Sequence, residues 1–304
     1  MSTSSVDTRW YAYTSSTQTM RTWARRVETL AEVPPAFQAA YPQPHEPIPY
    51  TIYLPEDKLS KAQARNAQLL CLFAEHLVVL EKQQEEIVSY ACEFGDVFAM
   101  QRGLILLNSW LQIRAAAGLI RLPFNTAVET LFMPVIERIR QAAVRVAAYG
   151  DVNGLGAATK PDLSPFDFLD RVNYKFMNYG RASIRPHDTI HGVIYQPDVT
   201  LQTLRFLKRT VYRQYKTAHL AVLTDNELIL IQEAKAVRTN FDATHGGVFT
   251  YIPRRQIMDV SFVERPSAPD AVCLMDVALP DKVHVTVEFA AAHPDLPQFQ
   301  ALFE

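Results

Sequence analysis

Two fourteen-residue stretches of this chain can be laid over one another without a gap. They are Leu69-Leu-Cys-Leu-Phe-Ala-Glu-His-Leu-Val-Val-Leu-Glu-Lys82 and Leu220-Ala-Val-Leu-Thr-Asp-Asn-Glu-Leu-Ile-Leu-Ile-Gln-Glu233. Each is an apolar run, a three-residue polar break and a second apolar run that ends in charge. An internal repeat constrains a fold more than any single motif, because one architecture must serve both copies. Thr224-Asp225-Asn226-Glu227 has the chemistry of a tight turn, since Asp and Asn side chains bond their own backbone and tolerate left-handed angles. The expectation is a β-hairpin in each half. A rival reading makes Leu59 to Phe94, rich in Ala, Gln, Glu and Lys, one long helix. Against it, Leu69–Phe73 and Leu77–Leu80 are unbroken apolar runs that would wrap every face of a surface helix.

The correspondence continues downstream. Ile87–Cys92 followed by Asp96-Val97 matches Val248–Pro253 followed by Gln256-Ile257, with a slip of one residue. Leu104–Leu107 with Leu119–Phe124 then faces Val272–Met275 with Val283–Phe289. Val283, Val285, Val287 and Phe289 alternate with His284, Thr286 and Glu288, the period of a half-buried strand, and Pro280-Asp281 supplies the turn before it. Each half closes in a helix. Asn125-Thr126 caps one whose apolar positions are Val128, Leu131, Phe132, Val135, Ile136, Ile139 and Ala143, with a kink expected at Pro134. Asp295 precedes the shorter one, with Leu296, Phe299, Leu302 and Phe303.

The organisation read from this pattern is mainly β with some helix. Residues 1–45 form an N-terminal helix and a proline-rich arm, with Trp10, Tyr11, Met20, Trp23, Val27 and Leu30 packing on something. Residues 46–149 form the first repeat, starting at a strand Tyr50–Leu54. Residues 150–170, with Gly154 and Gly156, read as a linker, and 171–304 form the second repeat, with a strand at Ile190–Tyr195. A chain of 304 residues with 48% apolar and 20% charged side chains can bury two cores. The polar start leads into no signal stretch, and the most apolar region, Gly103 to Ile120, is interrupted by Asn108, Gln112 and Arg114. Cys71, Cys92 and Cys273 lie far apart in apolar surroundings, so buried free thiols are expected. A cytoplasmic protein without a transmembrane segment is the resulting expectation.

This order, two strands around a Leu-Thr-Asp turn, a Tyr-Ile-Pro strand leading to an isoleucine, two further strands and a helix, resembles the bacterial pleckstrin-homology-like (PH-like) and GRAM-like domains. The residues that carry the likeness are Ala218–Glu233, Gly246–Val263, Val272–Phe289 and the closing helix, with a looser match over Tyr50–Ala147. The resemblance implies two tandem PH-like barrels or sandwiches, each of about seven strands closed by a C-terminal helix. It also implies a binding role toward lipid headgroups or proteins, with no metal or cofactor.

Charge supplies the candidate site. Between Arg171 and Lys216 the chain carries a net +7, opposed by −9 elsewhere. The candidate binding residues are Lys175, Arg181, Arg185, Arg205, Lys208, Arg209, Arg213 and Lys216, interleaved with Phe206, Tyr212 and Tyr215. Such a segment attracts an anionic membrane surface or an acidic protein partner, and nucleic acid with less support; alternatively it is a solvated surface paired to this chain's own carboxylates. His187 and His191 would share a metal only on a helix, and Pro186 and Gly192-Val-Ile-Tyr195 point to a strand, where the rings stand about 13 Å apart. Gly154-Leu-Gly156 before Lys160 lacks the Lys-Ser/Thr ending of a phosphate loop, and His245-Gly-Gly247 reads as a turn. No nucleophile elbow, paired Cys–base or apolar carboxylate pair appears, so no catalytic residue is assigned. The reading is a non-enzymatic binding module. The alternatives are a structural, oligomer-forming subunit and an enzyme with a site between the domains.

Overall fold

In a computed structural model of the chain, the described residues are 22–43, 45–57, 65–105, 108–145, 160–206, 209–233, 246–266 and 271–304. They are mainly β, in antiparallel sheets with few helices. Two compact units emerge, one built on residues 22–145 and the other on residues 160–233 and 247–304.

The first unit begins with β1 (Arg25–Val27), a short helix α1 (Pro35–Gln38), β2 (Tyr50–Leu54), β3 (Gln68–Leu72), β4 (His76–Gln83) and β5 (Glu86–Glu93), which form one sheet in the order β1-β2-β3-β4-β5. β6 (Val97–Ile105), β7 (Asn108–Ala115) and β8 (Gly118–Phe124) follow as an antiparallel meander, and α2 (Met133–Arg145) closes the unit. Leu69–Lys82 is therefore a hairpin and not a helix, with Leu69 opposite Leu80 and Leu72 opposite Leu77. Its unbroken apolar runs have a direct cause: the strands are buried on both faces, which removes the polar half of the usual alternation. Leu69, Cys71, Val78 and Leu80 pack under Val27, Val33, Phe37 and Tyr41, while Leu70, Leu77 and Val79 are buried on the alternate positions.

The described part of the N-terminal arm is thus a cover for this sheet, made of β1 and the short helix α1. Where the sequence suggested a helix up to residue 33, residues 22–33 hold β1, which pairs with β2, and a single 3-10 turn, Leu30–Glu32. Val27 gains a strand partner and a core in this way, which a lone short helix could not supply. Trp10, Tyr11 and Met20 lie outside the described residues. Among those residues no backbone ladder joins β8 to the five-stranded sheet. Side chains bridge the corner instead, with Gln68 Nε2 donating to the Arg121 carbonyl at 3.2 Å and Arg65 to that of Pro123 at 3.4 Å.

At the closing helix, Asn125 caps as expected, its side chain accepting from Ala127 N–H at 2.8 Å. The kink expected at Pro134 is absent. Residues Thr126–Leu131 form a 3-10 stretch and α2 starts at Met133, so Pro134 sits in its first turn, where a missing N–H costs nothing. Phe132, Val135, Ile136 and Ile139 are all buried, and the Phe132 ring stacks on Phe124 at 4.0 Å.

The second unit opens with a 3-10 segment, Ser164–Asp170, and α3 (Tyr174–Ser183), followed by β9 (Ile190–Gln196). A separate two-stranded hairpin, β10 (Val199–Phe206) and β11 (Arg209–Lys216), intervenes. β12 (His219–Thr224), β13 (Glu227–Glu233) and β14 (Gly246–Pro253) then line up in the order β9-β12-β13-β14. The unit ends in the meander β15 (Asp259–Arg265), β16 (Val272–Leu279) and β17 (Val283–Ala290) and in α4 (Leu296–Gln300). Leu220 faces Ile231 and Leu223 faces Leu228, the register of Leu69–Leu80 and Leu72–Leu77. Backbone contacts agree as well. Lys82 N–H reaches the Ala67 carbonyl and Glu233 N–H that of Ala218; Phe94 N–H reaches Glu75 and Arg254 N–H reaches Asn226.

β12 and β13 are likewise covered on both faces, here by residues expected to form a linker. Phe166 and Leu169 of the 3-10 segment are fully buried, and a side chain at Gly180 would overlap the Phe166 ring and crowd Leu220. One sequence correspondence shifts. Leu104 and Ile105 finish β6, and Asn108–Ala115 is the strand placed like β16, because β6 runs two residues longer than β15. The Thr224–Glu227 turn forms through a different side chain than expected. Thr224 Oγ1 accepts from Asn226 N–H at 3.2 Å and Glu227 N–H at 3.0 Å, which releases Asp225 and Asn226 to reach neighbouring segments.

Candidate functional site

The basic segment falls on two elements of the second unit. Lys175 and Arg181 lie on α3, and Arg185 lies in the loop after it. Arg205, Arg209, Arg213 and Lys216 lie on the β10–β11 hairpin, where Phe206 is opposite Arg209, Leu201 opposite Arg213 and Val199 opposite Lys216. Lys208 lies outside the described residues. From Val199 to Lys216 the sequence has Arg205, Lys208, Arg209, Arg213 and Lys216 and neither Asp nor Glu. Asp198 stands at the root of the hairpin, its carboxylate accepting the Ala218 N–H.

The α3 group is held in ion pairs. Lys175 Nζ meets Glu233 at 2.7 Å and Arg181 meets Asp167 at 2.6 Å. Both pairs are partly exposed, so each contributes about 0–1 kcal/mol. Arg185 is no part of an exposed face. It is buried, 3.1 Å from Asp188 and 3.6 Å from Glu227, both also buried. Asn226 Nδ2 donates to the same Asp188 at 2.9 Å, and Asp225 holds the Thr189 N–H at 3.0 Å. This cluster pins the β12–β13 turn to the loop before β9, a structural role that the charge count alone conceals.

Sequence reasoning missed the apolar part of this region. Phe168, Val172 and Tyr174 are 46%, 59% and 61% exposed, around an exposed Arg171. The signal was present in Phe166-Asp-Phe-Leu169, which is too apolar for a linker, although only the tertiary structure separates the buried Phe166 from the exposed Phe168. Val172 and Tyr174 stand at the same end of the sheet as the hairpin root. Asn173 Nδ2 donates to Tyr195 Oη at 2.8 Å near the end of β9, Lys175 pairs with the end of β13, and Glu233 N–H donates to Ala218 just before β12.

His187 sits in a turn with φ of 73°, and His191 is on β9. His187, Lys160, Asp162 and Thr189 border a cleft of about 350 Å³. Among the described residues, no group of three or more His, Cys, Asp or Glu side chains is placed to hold a metal ion. All three cysteines are free and buried. Burial pushes the Cys71 thiol up to about 12, against hydrogen bonding from Thr51 and Tyr41 that pulls it down. Burial, with Asp96 and Glu93 nearby, pushes Cys92 up to about 11. A thiol held protonated is a poor nucleophile. Native protein should therefore react with an aromatic disulfide reagent at pH 8 about a hundredfold more slowly at Cys92, and more slowly still at Cys71, than urea-unfolded protein. Equal rates would show that the thiols are accessible. Because the folded thiols titrate above the unfolded ones, their contribution to stability is intact below pH 9 and declines as pH rises toward 12.

No helix among the described residues is long and apolar enough to cross a membrane. No protein-family model, no curated protein and no solved structure matches this chain.

Proposed function

We propose that this chain is a non-enzymatic binding module of two tandem PH-like units that docks on an anionic membrane surface through its second unit. The PH-like reading is supported by the common element order: four adjacent core strands of one sheet, interrupted in the second unit by the β10–β11 hairpin, then a three-stranded meander and a closing helix. The observation that carries the membrane reading is the acid-free basic hairpin with Val172 and Tyr174 exposed at the same end and Phe168 exposed in the segment before them. Basic residues draw a protein to anionic lipid at about 1 kcal/mol each, and aromatic and aliphatic side chains settle at the headgroup boundary. A nucleic-acid or acidic-protein partner accounts for the charge but not for exposed Val172 and Phe168.

The test is co-sedimentation with phosphatidylcholine vesicles, with and without phosphatidylserine, beside a parallel oligonucleotide titration. Binding should need phosphatidylserine and should weaken as salt rises. Replacing Arg205, Lys208, Arg209 and Arg213 together with Ser should weaken it about a hundredfold at moderate salt. Replacing Phe168, Val172 and Tyr174 with Ser should weaken binding to vesicles and leave any oligonucleotide binding unchanged. Binding by the quadruple variant as strong as the parent's would refute the proposal, and tighter binding to oligonucleotides than to vesicles would reassign the partner.

A further inference from the structure

Several strands stand at a sheet edge among the described residues, and β5 and β15 are two of them. β5 is the last strand of its sheet and, among the described residues, pairs with β4 alone; β15 pairs with β16 alone. Every other residue of such an edge turns its N–H and C=O away from the sheet, which makes the edge a template for another strand. Native edges are normally blunted by a lysine, a proline or shortness. β5 has eight residues, β15 has seven, and neither contains Lys or Pro.

Their surroundings are complementary. Around β5, the segment from Gln84 to Asp96 carries Glu85, Glu86, Glu93 and Asp96, all exposed, and no basic residue. Around β15 stand Arg254, Arg255 and Arg265, also exposed, with Asp259 and Glu264 between them. Placed antiparallel, the two edges bring Arg265 to Glu85 and Glu86, and Arg254 and Arg255 to Glu93 and Asp96. β15 also exposes apolar surface, with Met258 at 72% and Val263 at 45%. Val263 stands at mid-strand, where a partner strand would cover it.

We propose that β15 of one copy pairs with β5 of a second copy, so that the chain assembles head to tail through these two oppositely charged edges. The contact joins different surfaces on the two copies, so it propagates until a ring closes or subunits run out. This inference is independent of the membrane reading, because no residue of the basic hairpin or of the exposed apolar cluster takes part.

Sedimentation velocity on the full chain across a micromolar concentration series tests it. The weight-average mass of the parent should rise with concentration to about twofold the monomer or beyond. Two charge-reversed variants separate the edges: Glu86→Arg with Glu93→Arg, and Arg254→Glu with Arg265→Glu. All four positions are exposed, so both variants should keep the parent's melting temperature. Each alone should stay monomeric, since like charges then meet across the contact. Mixed in equal amounts they should regain the parent's concentration dependence, because each edge again meets its opposite. The proposal is overturned by a parent that stays monomeric throughout, by variants that assemble like the parent, or by a mixture that remains monomeric.

Discussion

Replacing Arg185 with Ala should lower stability by about 3–5 kcal/mol, the usual result of removing one member of a buried ion pair. The Arg185 side chain is 7% exposed, and those of Asp188 and Glu227 are 2% and 1% exposed. Without the guanidinium, two carboxylates remain in a dry site. The Asn226 amide and the Thr224 turn still donate to this neighbourhood but carry no compensating charge. Holding those carboxylates charged in the dry site then costs more than it does in the unfolded chain. Protonation removes that buried charge, so the deficit of the variant should be largest at pH 7 and should shrink toward pH 4. Chemical denaturation of parent and variant at both pH values checks this. Arg185→Met, which keeps most of the volume, should show nearly the same pH-dependent deficit. A deficit that ignored pH would mean that packing, and not charge, is what Arg185 supplies. The measurement should follow unfolding of the second unit, because the chain has two compact units and a single transition is not assured.

Gly103→Val should be comparably damaging, by several kcal/mol, and its cause is steric. Gly103 on β6 lies directly opposite Trp110 on β7, and a side chain at position 103 would overlap the indole ring. Trp110 is 6% exposed, so the ring has no open solvent to retreat into. Overpacking a tight core costs about 1–3 kcal/mol and more when a large ring must leave its place. The pair should therefore be strongly non-additive. Trp110→Ala alone should cost about 3–5 kcal/mol. Gly103→Ala in that background should cost little, since the clash has gone. Full additivity in this double-mutant cycle would show that the two residues do not oppose each other as described.

The strands were legible where the pattern was local. The hairpin at Leu69–Lys82 follows from two apolar runs around a polar break, and the strand at Val283–Ala290 from its alternation. The helix cap at Asn125 and the turn at Pro280-Asp281 follow from residues that act on their own backbone; Asp281 takes the left-handed φ of 58° that such turns need. Register was not legible in these hairpins, because strands buried on both faces carry no alternation that a slip of one residue would violate.

What covers those strands was not legible. The unbroken apolar runs of β3, β4, β12 and β13 require something on their second face, yet nothing in Leu69–Leu80 says whether it is a helix, a strand or another chain. Tertiary structure placed β1 and α1 over one hairpin and the Phe166 segment with α3 over the other. The same limit applied to charge. Nine basic residues between Arg171 and Lys216 count alike in a sequence. Only folding brought Glu227, far along the chain, to Arg185 and Glu233 to Lys175, and so separated structural ion pairs from the hairpin. Pairs at long sequence separation are chosen by the packing of whole elements, not by the local spacing of residues. The sequence by itself therefore determined the hairpins and the closing helices, whose driving contacts lie within a few residues of one another. Tertiary structure alone decided which faces were covered and which basic residues were drawn into ion pairs within the second unit.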